Sequence, residues 1–473
     1  MTPITRYGLS ALTLALLHSH AWAEDEPAPV QPFAEPVVTL EFFQKLTLQT
    51  GYGPQDSTVG NGRKVFQSYR YEPSFSWYSP EKRWAKWQVF GRAWVNYNTS
   101  QTSTGLQEDN NSNREARERP EYFYSELREF YVRRNLLGDD PRYSLTLGRQ
   151  SYSDRYGIWW DDTFESVRFN YQDANSSGFL AAGKKFYYYN TDINTLDETD
   201  KDIFYGLGEY AWRWRQGHTA GVRMLYENDY SDSNVNDRQD FQGLRAGLFF
   251  EGQNLDLAAL SDYHLELATL RGNIDSTDGN GVQSSDTTRG WALLGEVGKR
   301  FQDLPWTPRF ALRAGITDKP DDANDGFYLN RIQSDRVVDP ERYSSRLISS
   351  FINVNVRNLQ YYGFALETQP TPRTSLDFKV SDLYLRNENG ELPIRIDSDQ
   401  RRARNQQITL GNNSGRSIGQ VVDVNYYWRM FPIAYEGKHL NLNTLVSASY
   451  LRAGEAVQSG DDYQLTLGIV IRY

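Results

Sequence analysis

Apolar and polar residues alternate through the last eleven residues of the chain, which read YQLTLGIVIRY. Every odd position from Tyr463 to Tyr473 is apolar, and residues such as Gln464, Thr466 and Arg472 stand between them. Successive side chains of a β-strand point to opposite faces, so the pattern predicts a strand with one face against an apolar medium. The alternation continues to the final residue, although chain ends usually fray. We therefore expect this strand to be held along its whole length.

Similar period-2 segments recur along the chain, and about eighteen can be placed, a number within the range of porin-type barrels. In VVDVNYYWRM (Val421–Met430), for example, Val422, Val424 and Tyr426 share one face of the predicted strand. The predicted strands run near residues 39–51, 64–78, 83–98, 122–134, 142–150, 163–171, 177–188, 203–215, 219–229, 241–251, 254–268, 290–300, 308–316, 359–368, 374–386, 418–430, 438–452 and 462–473.

The connections between these segments alternate in length. Short turns recur at SPEK (Ser79–Lys82), DANSS, RQGH, EGQN and TQPTP, and long polar stretches such as Thr99–Glu121 and Thr317–Asn358 lie between them. Transmembrane barrels have short periplasmic turns and long extracellular loops, whereas a soluble sandwich has no reason to sort its loops in this way. The sequence predicts an all-β, antiparallel up-and-down transmembrane β-barrel of about 18 strands. Its last strand should pair with its first, because a closed barrel has no sheet edge.

The amino-terminal sequence indicates export. MTPITRYGLSALTLALLHSHAWA has an early arginine, a short apolar run and a final small-x-small motif, which together are typical of a secretory signal peptide. A buried amino-terminal helix is the alternative. We expect residues 1–23 to be the signal peptide, the acidic, proline-rich residues 24–38 to be a flexible segment, and residues 39–473 to form the barrel. The predicted location is the outer membrane of a Gram-negative bacterium.

Composition favours this class of membrane protein. Hydrophobic residues make up 39% of the chain and the mean hydropathy is −0.69, so no mature stretch forms a helical membrane span. The chain has 32 Tyr and 12 Trp, which suits a barrel with aromatic girdles, although a secreted all-β protein would share this composition. It has no Cys, which excludes disulfides and thiolate metal sites.

If the apolar face of each predicted strand contacts lipid, the polar residues that alternate with it line the lumen. Basic residues, including Arg92 and Arg313, outnumber acidic ones in this set, and the acids of a chain with net charge −10 concentrate in the long connections. The chain has 40 Arg and 11 Lys, and the Arg fork fits carboxylate and phosphate groups. We expect a basic lumen under acidic loops that favours carboxylated or phosphorylated anions. The alternative for any single arginine is an ion pair with a luminal acid that only stiffens the wall.

Catalytic and metal-binding patterns are weak. The histidines outside the predicted signal peptide are scattered singly, with no metal spacing or triad partner. Asp161 and Asp162 are adjacent carboxylates, but neighbours on a strand point to opposite faces, which argues against an acid–base pair. The stretch Asp321–Gly326 resembles half of a calcium loop and lacks the downstream Glu. We expect no enzymatic activity and no cofactor, with loop-bound Ca²⁺ left open.

Several stretches together resemble the alginate-export family of outer-membrane barrels. They are ELREFYV (Glu126–Val132), LGRQSYSDRYGIWWDDTFESVRFNY (Leu147–Tyr171), NTDINTL (Asn190–Leu196), RNLQ (Arg357–Gln360), SIGQVVDV (Ser417–Val424) and the terminal IRY. Their order and spacing match the family from about residue 40 to the end of the chain. The resemblance implies an 18-stranded barrel whose arginine-rich pore lets an anionic polysaccharide leave the cell.

Residue by residue, the resemblance places pore-lining groups in this chain, two of them acids that balance the basic zone. Arg149 follows Leu145 and Leu147 on the apolar parity, so either a bulge intervenes or it lies above the bilayer; the resemblance favours the pore. At two positions where the resemblance implies further arginines, this chain has Ser151 and Leu445, so its basic constriction differs in part from that of the family. The implied positions are Lys45, Arg70, Arg128, Arg149, Asp161 and Asp192, with Arg346 as a loose candidate.

The function expected from these observations is passive export of an anionic, alginate-like polyuronate through an arginine-rich pore. Expected partners are the polysaccharide, outer-membrane lipid and periplasmic export proteins, with no nucleic acid and a monomeric barrel. The main alternative is an anion-selective uptake porin for small carboxylated solutes. An outer-membrane enzyme and a structural or adhesive barrel are the remaining alternatives, and the sparse catalytic residues and the charged inner face argue against them.

Overall fold

The computed structural model describes residues 39–54, 64–80, 85–99, 123–138, 140–191, 194–196, 200–231, 233, 239–255, 257, 259–277, 280–321, 325–327, 348–349, 352, 356–390, 392–393, 415–435, 438–457 and 460–473. The predicted signal peptide, residues 1–23, and the predicted flexible segment, residues 24–38, lie outside this part, as do Asp192 and Arg346. No helix among the described residues is both long and apolar enough to cross a membrane.

Eighteen strands form one antiparallel sheet in the described part of the chain, and the sheet closes on itself. Each strand pairs with its neighbours in sequence, and β1 also pairs with β18 from Lys45↔Arg472 to Tyr52↔Leu465. The strands are β1 Thr39–Tyr52, β2 Val65–Tyr78, β3 Trp87–Asn98, β4 Phe123–Leu137, β5 Asp140–Ser153, β6 Asp161–Gln172, β7 Ser176–Lys184, β8 Ile203–Arg215, β9 His218–Asp229, β10 Gln239–Gly252, β11 Asp262–Thr277, β12 Gln283–Arg300, β13 Arg309–Thr317, β14 Leu359–Thr371, β15 Thr374–Leu385, β16 Ser417–Tyr435, β17 Lys438–Ala453 and β18 Asp462–Arg472.

The alternation of the last strand places its apolar face outside the ring. Leu465 is 49% exposed, whereas Thr466 is 4% exposed. The backbone of Tyr473 exchanges two hydrogen bonds of 2.9 Å with Gln44 at the start of β1. The final strand is therefore regular to its end because it closes the barrel, which confirms the fold predicted from the pattern.

The longest connections all lie at one end of the barrel, as expected, although 278–282 at that end is shorter than 253–261 at the other. The end that holds both ends of the strand series has the turns 79–86, 138–139, 173–175, 216–217, 253–261, 301–308, 372–373 and 436–437. The other end has 53–64, 99–122, 154–160, 185–202, 230–238, 278–282, 318–358, 386–416 and 454–461. We refer to these ends as periplasmic and extracellular, in line with the organisation of such barrels.

Two predicted strand starts were clearly wrong. β12 begins at Gln283 rather than near residue 290. The segment near 254–268 was expected to be a strand, but β11 begins only at Asp262. Asn254 has a φ of 52°, and the Leu255 amide donates to the Ser261 carbonyl at 2.8 Å, which closes a turn. Apolar residues of this turn had been mistaken for the outward face of a strand.

Candidate functional site: the barrel lumen

The hairpin of β5 and β6 leaves the barrel wall at its extracellular end. β4 pairs with β5 only as far as Phe130↔Arg149, and β6 pairs with β7 only from Glu165↔Lys184. The two strands nevertheless continue to pair with each other up to Ser153↔Asp161. All residues from Ile158 to Phe164 are buried, whereas a strand in the wall would expose every second side chain to lipid. Residues 150–164, which we call the luminal hairpin, therefore lie inside the barrel.

Residues 185–191 fill the gap that this departure leaves in the wall. The Leu127 amide donates to the Tyr189 carbonyl at 3.0 Å, and the Thr191 amide donates to the Ser125 carbonyl at 2.9 Å. Asn190 forms a bridge with Glu126 of β4. This closing segment satisfies the β4 edge that β5 abandons, which a lipid-facing barrel requires.

The tip of the luminal hairpin is fastened to the wall several strands away. The Trp159 indole donates to the Glu266 carboxylate on β11, and its ring packs where Gly247 of β10 leaves room. Tyr156 meets His264 edge-to-face, with ring centroids 5.0 Å apart. The Asp154 carboxylate accepts hydrogen bonds from four backbone amides of the tip, two of them from Trp159 and Trp160. The tip is thus a rigid element across the lumen.

Apolar side chains fill the space between the luminal hairpin and the nearby wall. Tyr152 stacks on Phe164 at 4.8 Å, and Phe164 lies 5.3 Å from Tyr205 of β8. Leu207 and Leu225 belong to the same buried cluster. The luminal hairpin and these apolar contacts therefore fill the side of the lumen next to β8 and β9.

The cations of β1 and β3 are paired with acids of the neighbouring strands. The Lys45 Nζ lies 3.4 Å from Glu72, and an Arg92 nitrogen lies 2.8 Å from Glu129. The Trp94 indole also donates to Glu72, at 3.0 Å. Lys45 and Arg92 retain 11% and 23% side-chain exposure, so both still reach the lumen.

Arg70 and Arg128 stack on the same indole but differ in their charge partners. The guanidinium carbons lie 3.7 Å and 4.3 Å from the Trp94 ring. Arg128 pairs with Glu126 at 2.8 Å and with Asp162 of the luminal hairpin at 3.3 Å. Arg70 donates to the Asn96 side chain at 3.0 Å and has no carboxylate of a described residue within 4.0 Å. Among the described residues, its guanidinium is therefore held by the Trp94 ring and the Asn96 side chain rather than by a carboxylate.

Arg149 lies where the luminal hairpin leaves the wall. The pairing of β4 and β5 is unbroken at this point, so no bulge carries the residue across the sheet. Its guanidinium pairs with Glu165 at 3.0 Å, donates to the Leu127 carbonyl at 3.1 Å and lies 5.0 Å from the Tyr189 ring. The residue is thus enclosed between the hairpin base and the closing segment.

Asp161 and Asp162, at the tip of the luminal hairpin, have different surroundings. Asp161 is buried next to Gly157. Asp162 accepts Arg128 and also Lys185 of the closing segment, whose Nζ lies 2.7 Å away. Asp162 therefore ties the hairpin, β4 and the closing segment together.

Arg313 belongs to an ion-pair network on β11–β14. It donates to Glu296 at 2.7 Å, and Arg309 contacts the same carboxylate at 2.6 Å. Arg309 also pairs with Glu367 at 2.8 Å and with Asp262. Arg155 also approaches Glu296, at 3.9 Å, and Arg300 approaches Glu367, at 3.5 Å, so every carboxylate of this network has a guanidinium partner.

Most inward-facing acids were absent from the luminal residues predicted from the sequence, although Glu209, Asp377 and Asp423 were among them. Acids were expected to concentrate in the loops, but strands place a buried set of them inside the barrel, each near a cation. Arg223 pairs with Glu209 at 2.6 Å and Glu266 at 2.9 Å, and Arg245 pairs with Glu227 at 2.7 Å. The signal was present, because these glutamates occupy the inward parity of their strands. The buried inward acids include Glu72, Glu126, Glu129, Glu227, Asp229, Glu266, Glu296, Asp377, Asp423 and Asp462.

Two further arginines face the lumen nearer the periplasmic end and were also missed. Arg133 of β4 and Arg168 of β6 both stand opposite Thr146 of β5, so they share one inward row about 10 Å apart. The Arg168 guanidinium lies 4.1 Å from the Phe179 ring, and its Nε is buried without a hydrogen-bond partner among the described residues. Neither arginine has a described carboxylate within 4.0 Å.

Metal binding was left open for the Asp321–Gly326 stretch, of which residues 322–324 lie outside the described part. Among the described residues, no group of three or more His, Asp or Glu side chains is placed to hold a metal ion.

Comparison with known proteins identifies the family. The profile of a family described as alginate export matches residues 37–467. The chain belongs to the alginate export family. It is similar to the alginate production protein AlgE of Pseudomonas aeruginosa, with 30% identity over 153 residues, which are 31% of this chain and 31% of that protein. AlgE of Azotobacter vinelandii is 32% identical over 125 residues, 26% of this chain and 23% of that protein. The matched stretches thus span about a third or less of these relatives.

Solved structures with a similar fold are outer-membrane porins. OccAB3 of Acinetobacter baumannii has a TM-score of 0.55 at 8% identity, covering 92% of this chain and 99% of that chain. OccK2 (OpdF) of Pseudomonas aeruginosa has a TM-score of 0.55 at 8% identity, covering 92% of this chain and 97% of that chain. At such identities the likeness concerns the fold. This alginate export family member is a β-barrel of the Gram-negative outer membrane.

Proposed function

We propose that this barrel is a passive outer-membrane channel that exports an anionic, alginate-like polyuronate. The observation that carries the proposal is the set of inward-facing arginines without carboxylate partners among the described residues: Arg70, Arg133 and Arg168. Membership of the alginate export family supports the same substrate class. No chemical step is required, because the guanidinium groups only have to bind and release carboxylates.

These three arginines would be spaced along the direction of transport. Arg133 stands opposite Gln88, which in turn stands opposite Tyr78 of β2. Tyr78 lies eight residues below Arg70 along β2, about 26 Å at the rise of a strand. A carboxylated chain entering from the periplasm would therefore meet Arg133 and Arg168 first and Arg70 later.

The paired cations have a different role in this proposal. Conduction requires contacts that are favourable enough for entry and weak enough for exit. Lys45 and Arg92 remain partly exposed beside their acids and would make such weakened contacts. Arg128, Arg149 and Arg313 are held by buried carboxylates and would instead fix the wall and the luminal hairpin.

We also propose roles for the amino-terminal residues, for three further charged residues and for the assembly of the barrel. Residues 1–23 would be removed on export, and residues 24–38 would lead into the barrel from the periplasm. Asp161, Asp192 and Arg346 are proposed to adjoin the passage. The barrel would act as a monomer that receives its polymer from periplasmic export proteins.

A second candidate is an anion-selective uptake porin for small carboxylated solutes. The observation that favours it is the wide separation of Arg70 from the Arg133–Arg168 pair, with the rigid luminal hairpin narrowing the space beside them. Isolated sites of this kind suit single small anions as well as successive units of a polymer.

Planar-bilayer conductance with oligouronates tests the proposal. We expect the oligomers to block single wild-type channels, and we expect Arg70→Ala and the double change Arg133→Ala, Arg168→Ala each to weaken the block about tenfold, because charge-assisted contacts are lost. Arg142→Ala is the matched control, since Arg142 is exposed and paired with Asp140 at 2.7 Å near the periplasmic turns. Wild-type channels that ignore the oligomers would overturn polyuronate export, and block by small dicarboxylates alone would favour the uptake porin.

A further inference from the structure

Two arginines stand directly opposite each other on the outer surface of the barrel. Arg271 of β11 pairs in register with Arg289 of β12, and both side chains are exposed. Arg271 shares its parity with the exposed Leu265 and Leu267, and Arg289 shares its parity with the exposed Trp291. Both guanidiniums therefore project from the lipid-facing side of the wall.

The height of this pair coincides with the upper edge of the apolar band. The rungs below it are Tyr263↔Val297, Leu265↔Gly295, Leu267↔Leu293 and Thr269↔Trp291, and the rung above it is Asn273↔Thr287. Aromatic residues mark the membrane interfaces of barrels, so Trp291 places the next rung at headgroup level. This end of β11 and β12 carries the long connections, so the leaflet concerned is the outer one.

No acidic side chain of the described residues compensates the charge of the pair. Like charges directly opposite on a sheet are destabilising, and neither guanidinium has a carboxylate of a described residue within 4.0 Å. Two acids near the pair do not form ion pairs with it. Asp325 accepts the backbone amide of Arg289 at 3.4 Å, and Asp275 lies two rungs higher than Arg271. An external anion would relieve the repulsion between the two side chains.

We propose that Arg271 and Arg289 form a binding site for the phosphate of an outer-leaflet lipid headgroup. A phosphate presents several oxygens, and two adjacent guanidinium forks donate to it in a way that a single arginine cannot. The apolar rungs directly beneath the pair are positioned to accept the acyl chains of the same lipid. This site lies on the opposite face of the wall from the lumen, so it does not depend on which solute the channel carries.

Native mass spectrometry of the full-length barrel with bisphosphorylated lipid A tests the site. We expect wild-type protein to retain the lipid, and we expect Arg271→Gln with Arg289→Gln to raise its apparent dissociation constant about tenfold or more. Arg134→Gln is the matched control, because Arg134 is an exposed arginine that stacks on Trp87 at 4.9 Å near the periplasmic rim. It should retain the lipid like wild type.

A second arm separates the lipid from free phosphate and from simple hydrophobic adhesion. Inorganic phosphate at millimolar concentration should not displace the lipid, and lipid A stripped of its phosphates should bind wild type and the double variant equally weakly. The proposal is overturned if the double variant retains bisphosphorylated lipid A as wild type does, or if retention is independent of the phosphates.

Discussion

At the scale of single residues, the nearest carboxylate decides whether a luminal arginine can act on a solute. Arg70 and Arg128 share the Trp94 ring, but only Arg128 is also held by Glu126 and Asp162. Both arginines were predicted from the sequence to line the pore. Their different roles were not predictable, because Asp162 reaches Arg128 from the luminal hairpin only in the folded barrel. Alternation reveals which face a side chain occupies and leaves its partner undetermined.

Glu296 provides a residue-scale prediction. Its carboxylate contacts Arg309 at 2.6 Å and Arg313 at 2.7 Å. Glu296→Gln leaves these buried guanidiniums short of a negative charge, so we expect the free energy of unfolding to fall by about 3 kcal/mol. Urea unfolding in lipid vesicles measures this change.

The exposed pair of Asp140 and Arg142 supplies the control. Its atoms approach to 2.7 Å, as closely as those of Glu296 and Arg313, but water screens them. Asp140→Asn should leave the unfolding curve unchanged. Equal effects of the two substitutions would show that burial does not govern these ion pairs.

At the scale of elements, strands that face lipid were predictable and the luminal hairpin was not. β18 and β16 follow their alternation, because one face meets lipid and the other meets polar groups. In the luminal hairpin both faces are buried, so WWDD breaks the alternation. That break was weighed as a catalytic pair, although adjacent tryptophans and aspartates also mark a segment that leaves the wall. The inward glutamates, in contrast, were accessible from parity alone.

Conductance tests the luminal hairpin as an obstruction. Trp159→Ala removes the side chain that fastens its tip to Glu266, and Gly247→Val places a side chain where the Trp159 ring now packs. Both changes should raise single-channel conductance, because the tip is released. Trp212→Ala, on the outer surface, should leave conductance unaltered. Unchanged conductance in both hairpin variants would mean that the tip does not limit the passage.

At the scale of the whole molecule, closure of the ring explains how a chain with a mean hydropathy of −0.69 resides in a membrane. The apolar half of each strand faces outward, and the polar half encloses a lumen in which most described arginines are neutralised by glutamates. The fold was predictable because lipid imposes one rule on every strand. Charge balance in the lumen was harder to predict, since it depends on pairs of residues distant in sequence.

Transit of polymer through the barrel tests the central claim most directly. Proteoliposomes are loaded with a fluorescent polyuronate or with a neutral dextran of equal size, and release is followed over time. We predict that wild type releases the polyuronate in preference to dextran, and that combined replacement of Arg70, Arg133 and Arg168 by alanine slows polyuronate release about tenfold or more. Retention of the polyuronate by wild type, or equal release of both polymers, would contradict the account.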